Sequence, residues 1–204
     1  MTNCETHEIT KYTKKKTSWV SCFRVFVAAW LAAGPIDASA IRIRQSATPQ
    51  PKQPDVHFAA TPMPVADAML QLARVTANDV VYDLGSGDGR IVILAAQKYG
   101  ARGVGIEIDP HLVELSRMVA RDGEVTDRVT FIEGDVFAAD ISAATVVTLW
   151  MTASFNARLM PKLLRELRPG TRIVAHQFPL GPWTPEQTIR VDGEEIFLWT
   201  VPPR

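Results

Sequence analysis

The stretch Val80-Val81-Tyr82-Asp83-Leu84-Gly85-Ser86-Gly87-Asp88-Gly89-Arg90 constrains this chain more than any other. An apolar run closes on an acidic residue, three glycines follow at alternate positions, and an amphipathic segment, Ile91 to Tyr99, begins at once. The pattern predicts a buried strand, a tight loop and the start of a helix. Glycine carries the backbone through positive φ and lets a ligand approach the main chain. A helix N-terminus adds free N–H groups and a partial positive charge. Dinucleotide loops read G-x-G-x-x-G, whereas Gly85, Gly87 and Gly89 give G-x-G-x-G, with Arg90 where the third glycine would stand. No Gly-Lys-Ser/Thr follows, which excludes a Walker loop. Asp83 would repel a pyrophosphate but suits an ammonium group or a ribose hydroxyl.

Two further acidic positions narrow the choice. Arg102 to Pro110 reads as a second strand ending in Glu107, at the distance a βα unit requires, where a carboxylate can accept from both ribose hydroxyls. A third strand, Arg128 to Ile132, runs into Glu133-Gly134-Asp135-Val136-Phe137. Asp135 has two readings: an acceptor for an adenine amino group, with Val136 and Phe137 beside the ring, or a helix N-cap. A glycine turn without a ligand is the bland reading of the loop alone, and the acids downstream weigh against it. The set fits S-adenosylmethionine (SAM) better than NAD.

These motifs resemble those of class I SAM-dependent methyltransferases, over roughly residues 56–202. The resemblance implies cofactor contacts at Asp83, Gly85, Ser86, Gly87, Gly89, Glu107, Ile108, Asp135 and Val136. Thr61-Pro62, the helical Val65 to Leu72, and Pro161-Lys162-Leu163-Leu164-Arg165-Glu166-Leu167-Arg168-Pro169-Gly170 resemble a narrower group. Its members are small bacterial methyltransferases similar to the mitochondrial protein-lysine methyltransferases of the ATP synthase c-subunit and the adenine nucleotide translocator. The expected activity is therefore methyl transfer from SAM to a protein lysine amine. A small-molecule acceptor and a SAM-binding module without turnover are the alternatives.

Alternating β and α segments predict a Rossmann-like, seven-stranded, mostly parallel sheet with helices on both faces and a C-terminal antiparallel hairpin. The hairpin, Thr188–Val191 and Glu194–Val201, turns on Asp192-Gly193. The other strands are read at Val80–Leu84, Gly103–Glu107, Val129–Ile132, Ala144–Trp150 and Thr171–His176. A helix over Val65–Arg74 precedes the first strand and could cap the cofactor site. Ligands in such sheets bind outside the carboxyl ends of the strands, so the methyl acceptor is expected over the segment from Thr148 through Asn156. That segment lacks the Asn/Asp-Pro-Pro-Tyr/Phe pattern of enzymes that methylate amide or exocyclic base nitrogens. Trp150 and Phe155 would either line an acceptor channel or simply pack. Asn156, which matches an asparagine of the narrower group, would orient an acceptor or bond to the loop. His176 would be a general base or a structural histidine. Gln177, Pro179 and Pro182 stand where the narrower group typically carries acids. The histidine spacing suggests no metal site.

The 204 residues are 47% apolar and carry no net charge. From residue 41 onward there are 17 basic and 19 acidic side chains, so no global basic field draws in nucleic acid. The N-terminus differs. Lys11, Lys14, Lys15 and Lys16 precede an apolar run, Val25 to Ala33, and Ala38-Ser39-Ala40 supplies small residues, the layout of a secretory signal peptide. Arg24 interrupts the apolar stretch, which is shorter than the roughly 20 residues of a membrane span. Both cysteines, Cys4 and Cys22, fall in this segment. The expected organisation is a signal-like or membrane-proximal anchoring segment at 1–40, a linker at 41–56 and a methyltransferase domain at 57–204. Export and a cytoplasmic cofactor pull in opposite directions, and the localisation stays open.

Overall fold

The structure is a computed structural model that describes residues 58–204. The expected signal-like segment and the whole of the expected linker lie outside the described residues. Four helices and seven strands alternate: α1 (Met63–Leu72), β1 (Val80–Leu84), α2 (Arg90–Tyr99), β2 (Arg102–Glu107), α3 (Pro110–Asp122), β3 (Val129–Glu133), β4 (Val146–Leu149), α4 (Ala153–Glu166), β5 (Arg172–His176), β6 (Gln187–Val191) and β7 (Glu194–Thr200). The strand order is β3-β2-β1-β4-β5-β7-β6. β1 to β5 run parallel, and β7 pairs antiparallel with both β5 and β6. The order reverses between β1 and β4, which puts the ligand crevice at their carboxyl ends.

Neighbouring strand residues point to opposite faces, and here both faces are apolar. Val81, Val146 and Val174 join one core with Leu70 of α1, Ile93 of α2 and Val113 of α3. Tyr82, Val147 and Ile173 join the other with Leu159 and Leu163 of α4. Helices thus cover both sides of the sheet, three on one and α4 on the other. Close packing has required small residues: a Cβ on Gly105 of β2 would stand 2.6 Å from both Phe131 Cδ1 and Ser86 Oγ.

Three expectations shift. The fourth strand contracts from Ala144–Trp150 to Val146–Leu149, because the Thr145 hydroxyl accepts the Val80 N–H (2.9 Å) below it and Trp150 leaves the sheet above it. No α-helix lies between β3 and β4; Asp135 caps a turn instead, its Oδ1 accepting the Phe137 N–H at 2.9 Å. Finally, α1 does not cap the crevice. Val65, Ala66, Met69 and Leu70 are buried in the first core, and the chain ahead of the helix, not the helix, reaches the glycine loop. Among the described residues, no helix is long and apolar enough to cross a membrane.

Candidate active site

β1 ends in Asp83 and Leu84, and the chain then turns through Gly85, Gly87 and Gly89, all at positive φ (82°, 53° and 79°). The Gly85 and Ser86 N–H groups both donate to the Ile106 carbonyl (2.8 and 3.0 Å), and the Gly89 N–H closes the loop onto the Ser86 carbonyl (2.8 Å). The loop is thereby fastened to the end of β2, where Glu107 stands. Gly87 donates its N–H to Glu107 Oε2 (2.9 Å), while the N–H groups of Ile108 and Asp109 donate to Oε1 (2.8 and 3.0 Å). The Glu107 carboxylate is therefore oriented by three backbone donors before any ligand arrives. Gly134, after β3, donates its N–H to the Glu107 carbonyl (2.8 Å), which draws Asp135 and Val136 to the same rim.

Asp83 is buried, and Thr148 of β4, its partner in register, donates its hydroxyl to Oδ1 at 2.7 Å. Burial pushes the Asp83 carboxyl up to about 7; the Thr148 bond opposes this, and the charges of Glu107 and Asp88 add to it. A cationic group beside Asp83 would reverse that penalty. The Ser86 hydroxyl lies against β2 at Gly105 without a hydrogen-bond partner. Val136 is buried in the second core. Of the nine residues expected to hold a cofactor, the structure brings all to the carboxyl rim of β1, β2 and β3. The helix N-cap reading of Asp135 does not hold, since its side chain caps a turn and no α-helix follows.

On the neighbouring side, Thr148 and Leu149 are buried within β4, so the accessible part of the expected acceptor segment starts at Trp150. Thr152 caps α4, its hydroxyl accepting the Phe155 N–H at 3.4 Å. Phe155 packs against Phe137 with ring centroids 5.1 Å apart, and the Arg158 guanidinium lies 4.9 Å from the centre of the Phe137 ring. Packing thus accounts for Phe155. Asn156 is fully buried. Its Nδ2 donates to the Phe178 carbonyl (2.8 Å), and its Oδ1 has no hydrogen-bond partner. The same loop holds a γ-turn: Gln177 has φ of 66°, and the Phe178 N–H donates to the His176 carbonyl at 2.8 Å, a conformation that stores strain in a non-glycine residue.

His176 is 1% exposed. Its ring centre lies 4.5 Å from that of Trp150. Glu194 Oε2 approaches Nε2 to 3.4 Å, in an alignment too poor for a hydrogen bond, so both ring nitrogens lack one. Burial holds the imidazole below its ordinary range, against the pull of Glu194.

Sequence reasoning missed three contributors: Thr148 as the partner of Asp83, Met151 beside Gly85, and Phe58 beside Gly87. A Cβ on Gly85 would lie 2.0 Å from Met151 Cε, and one on Gly87 2.2 Å from the Phe58 ring. Only the glycines themselves signalled the close approach.

A seven-stranded sheet of this order, with a glycine loop after β1 and an acid at the end of β2, defines a class I SAM-dependent methyltransferase. Residues 83–187 match the ANTKMT methyltransferase domain. A Protein-lysine N-methyltransferase of Saccharolobus islandicus is 43% identical over 154 residues, covering 72% of this chain and 95% of that protein. The human lysine N-methyltransferase of the ATP synthase c-subunit is 32% identical over 171 residues, 84% of this chain and 71% of that one. A crystal structure described as an RNA methyltransferase from Salinibacter ruber in complex with S-adenosyl-L-homocysteine is 53% identical, with a TM-score of 0.71, covering 72% of this chain and 95% of that chain. The chain belongs to the ANTKMT methyltransferase domain family and is a SAM-dependent methyltransferase.

Proposed function

We propose that this protein methylates a lysine amine of a protein acceptor. The observation that carries the reading is the extent of the match to a protein-lysine N-methyltransferase, 95% of whose length is covered at 43% identity. The rim suits the cofactor. Three glycines at positive φ turn the loop at the carboxyl end of β1, Glu107 is held by backbone donors for hydroxyl groups, and Asp83 offers a buried carboxyl to a cation. Asp83, Gly85, Ser86, Gly87, Gly89, Glu107, Ile108, Asp135 and Val136 would hold SAM, which supplies an activated methyl group on a sulfonium. The protein's own task is alignment and exclusion of water. A lysine must arrive as its neutral amine, and a desolvated channel lowers its pKa toward that form. Trp150 would line the channel and attract a methylated ammonium. Asn156 would fix the loop at Phe178, and His176 would support Trp150 from beneath; both are positioning residues in this reading.

The likeness to the Salinibacter ruber protein, described as an RNA methyltransferase, favours a second acceptor, RNA. The balance of 17 basic and 19 acidic residues after position 40 speaks against it. Incubation with labelled SAM and separate protein and RNA fractions decides. Label in protein that maps to lysine by mass spectrometry supports the reading; label confined to RNA overturns it.

A further inference from the structure

Arg90 holds the position at which dinucleotide loops carry glycine, and its guanidinium is bonded on both sides. Nε donates to Asp88 Oδ1 and Oδ2 (2.9 and 3.2 Å), and Nη2 to Oδ2 (2.5 Å). On the other side Nη1 donates to the Thr61 carbonyl (2.9 Å), 29 residues upstream. Thr61 is 4% exposed although Phe58, in the same stretch ahead of α1, is 50% exposed. Phe58 nevertheless sets its ring edge against Gly87, the residue whose N–H orients Glu107. An aromatic ring, a glycine peptide and a carboxylate are therefore in series, and the first is tied to the loop through Arg90.

We propose that Arg90, oriented by Asp88, is a positioning residue that latches residues 58–62 onto the glycine loop, so that Phe58 forms a wall of the cofactor site. The proposal rests on the reading of the rim as the SAM site. A planar guanidinium suits the task because its fork can engage a carboxylate bidentately and still present a donor at a fixed angle. Asp88 and Arg90 bracket Gly89, so whatever reshapes the loop also moves the latch. Arginine at this position is then a requirement of the latch and not only a departure from the dinucleotide pattern.

The full chain, Arg90→Met, Phe58→Ala and the double variant would be titrated calorimetrically with S-adenosylhomocysteine, and chymotryptic cleavage after Phe58 followed by mass spectrometry in the ligand-free full chain and Arg90→Met. Each single change should weaken binding about tenfold. The double variant should lose little more than either, since residues acting through one contact are not additive. Arg90→Met should also speed cleavage after Phe58 about tenfold in the ligand-free protein, a change that simple loss of helix stability would match with faster cleavage after Tyr99 at the end of α2. Should Arg90→Met fail to fold, Asp88→Asn takes its place. Losses that multiply to about a hundredfold, or cleavage after Phe58 unchanged, would overturn the latch. Failure of the wild-type chain to bind S-adenosylhomocysteine would overturn the cofactor reading instead, and the cleavage result alone would then decide whether Arg90 holds the segment.

Discussion

β1 has a carboxylate at each end, and the fold treats the two in opposite ways. Asp79, just before the strand, is saturated with donors. Thr145 Oγ1 donates to Oδ1 at 2.7 Å, and the Thr76 N–H and hydroxyl donate to Oδ2 at 2.8 and 3.0 Å. Arg172 of β5 pairs with Asp79 and also donates to the carbonyls of Ala73 (2.6 Å) and Arg74 (3.1 Å). One network thus ties the amino ends of β1, β4 and β5 to the end of α1. Asp83, at the other end of β1, has one side-chain donor, Thr148, and lies near two other carboxylates. All the buried side-chain polar atoms without a hydrogen bond among the described residues belong to Ser86, Asn156 and His176, at this same carboxyl rim. Satisfied polar groups stabilise one end of the sheet, while the other leaves groups unsatisfied, as binding sites do.

If the ends divide labour in this way, variants at each should fail differently. Asp79→Ala should have the largest effect, because it leaves the partly buried Arg172 without its partner. Loss of one member of a buried pair costs about 3–5 kcal/mol, and the partial exposure of Arg172 places this case at the lower end. At roughly 2–4 °C per kcal/mol, the melting temperature should fall by about 10 °C, with affinity for S-adenosylhomocysteine unchanged below the transition. Glu107→Ala should do the reverse. Losing charge-assisted bonds to a ligand should weaken affinity roughly a hundredfold, while the melting temperature falls less than in Asp79→Ala, because three backbone donors lose their acceptor but no ion pair is broken. Equal losses of stability in both variants would erase the distinction.

The two carboxyl groups also set opposite pH dependences. Burial raises the pKa of Asp79, but the bonds from Thr145 and Thr76 and the charge of Arg172 outweigh it, and the net shift is downward. A depressed carboxyl stabilises the fold above its unfolded pKa, and that contribution is lost as pH falls through the folded value. Asp83 is raised to about 7, so its contribution is fully present below the unfolded value near 4 and is lost as pH rises through about 7. In the window between, the folded state holds a proton that the unfolded state lacks, and this one group lowers stability by up to about 1.4 kcal/mol per pH unit. Urea melts at pH 5 and pH 7 should show a shallower decline in Asp83→Asn than in the wild type. Affinity for SAM, which carries positive charge, should rise as pH passes 7 and Asp83 ionises, and Asp83→Asn should lose that rise.

The sequence made the local half of this site legible. Gly85, Gly87, Gly89 and Glu107 lie on consecutive elements, and the spacing of a βα unit brings them together. The alternation of strands and helices likewise marked every element of the sheet. Partners supplied by strand order and register were not legible. Thr148 reaches Asp83 across 65 residues because β4 inserts beside β1. Arg172 reaches Asp79 across 93 because β5 follows β4 in the sheet. No local pattern announces that the hairpin strand β7 will bury His176, or that the chain before α1 will lie against Gly87. Local chemistry fixes which groups a rim can offer; topology decides which of them are paired, and hence which are charged.

His176 is where that second decision has the smallest energetic consequence and the clearest functional one. With no hydrogen bond to lose, replacement by an aromatic ring of similar breadth removes only a poorly aligned approach to Glu194. His176→Phe should therefore keep stability within about 1 kcal/mol of the wild type, or raise it, since a buried polar group without a partner carries a desolvation penalty. If His176 serves by supporting Trp150, phenylalanine should preserve that contact, and methyl transfer should stay within about threefold of the wild-type rate, whereas His176→Ala should leave a cavity under Trp150 and slow it further. If the imidazole instead takes a proton from the acceptor, phenylalanine and alanine should be equally damaging, by the roughly 100-fold or more that general base catalysis contributes. Comparing the two variants at saturating SAM separates them, and similar large losses in both would move His176 from the packing of the rim into its chemistry.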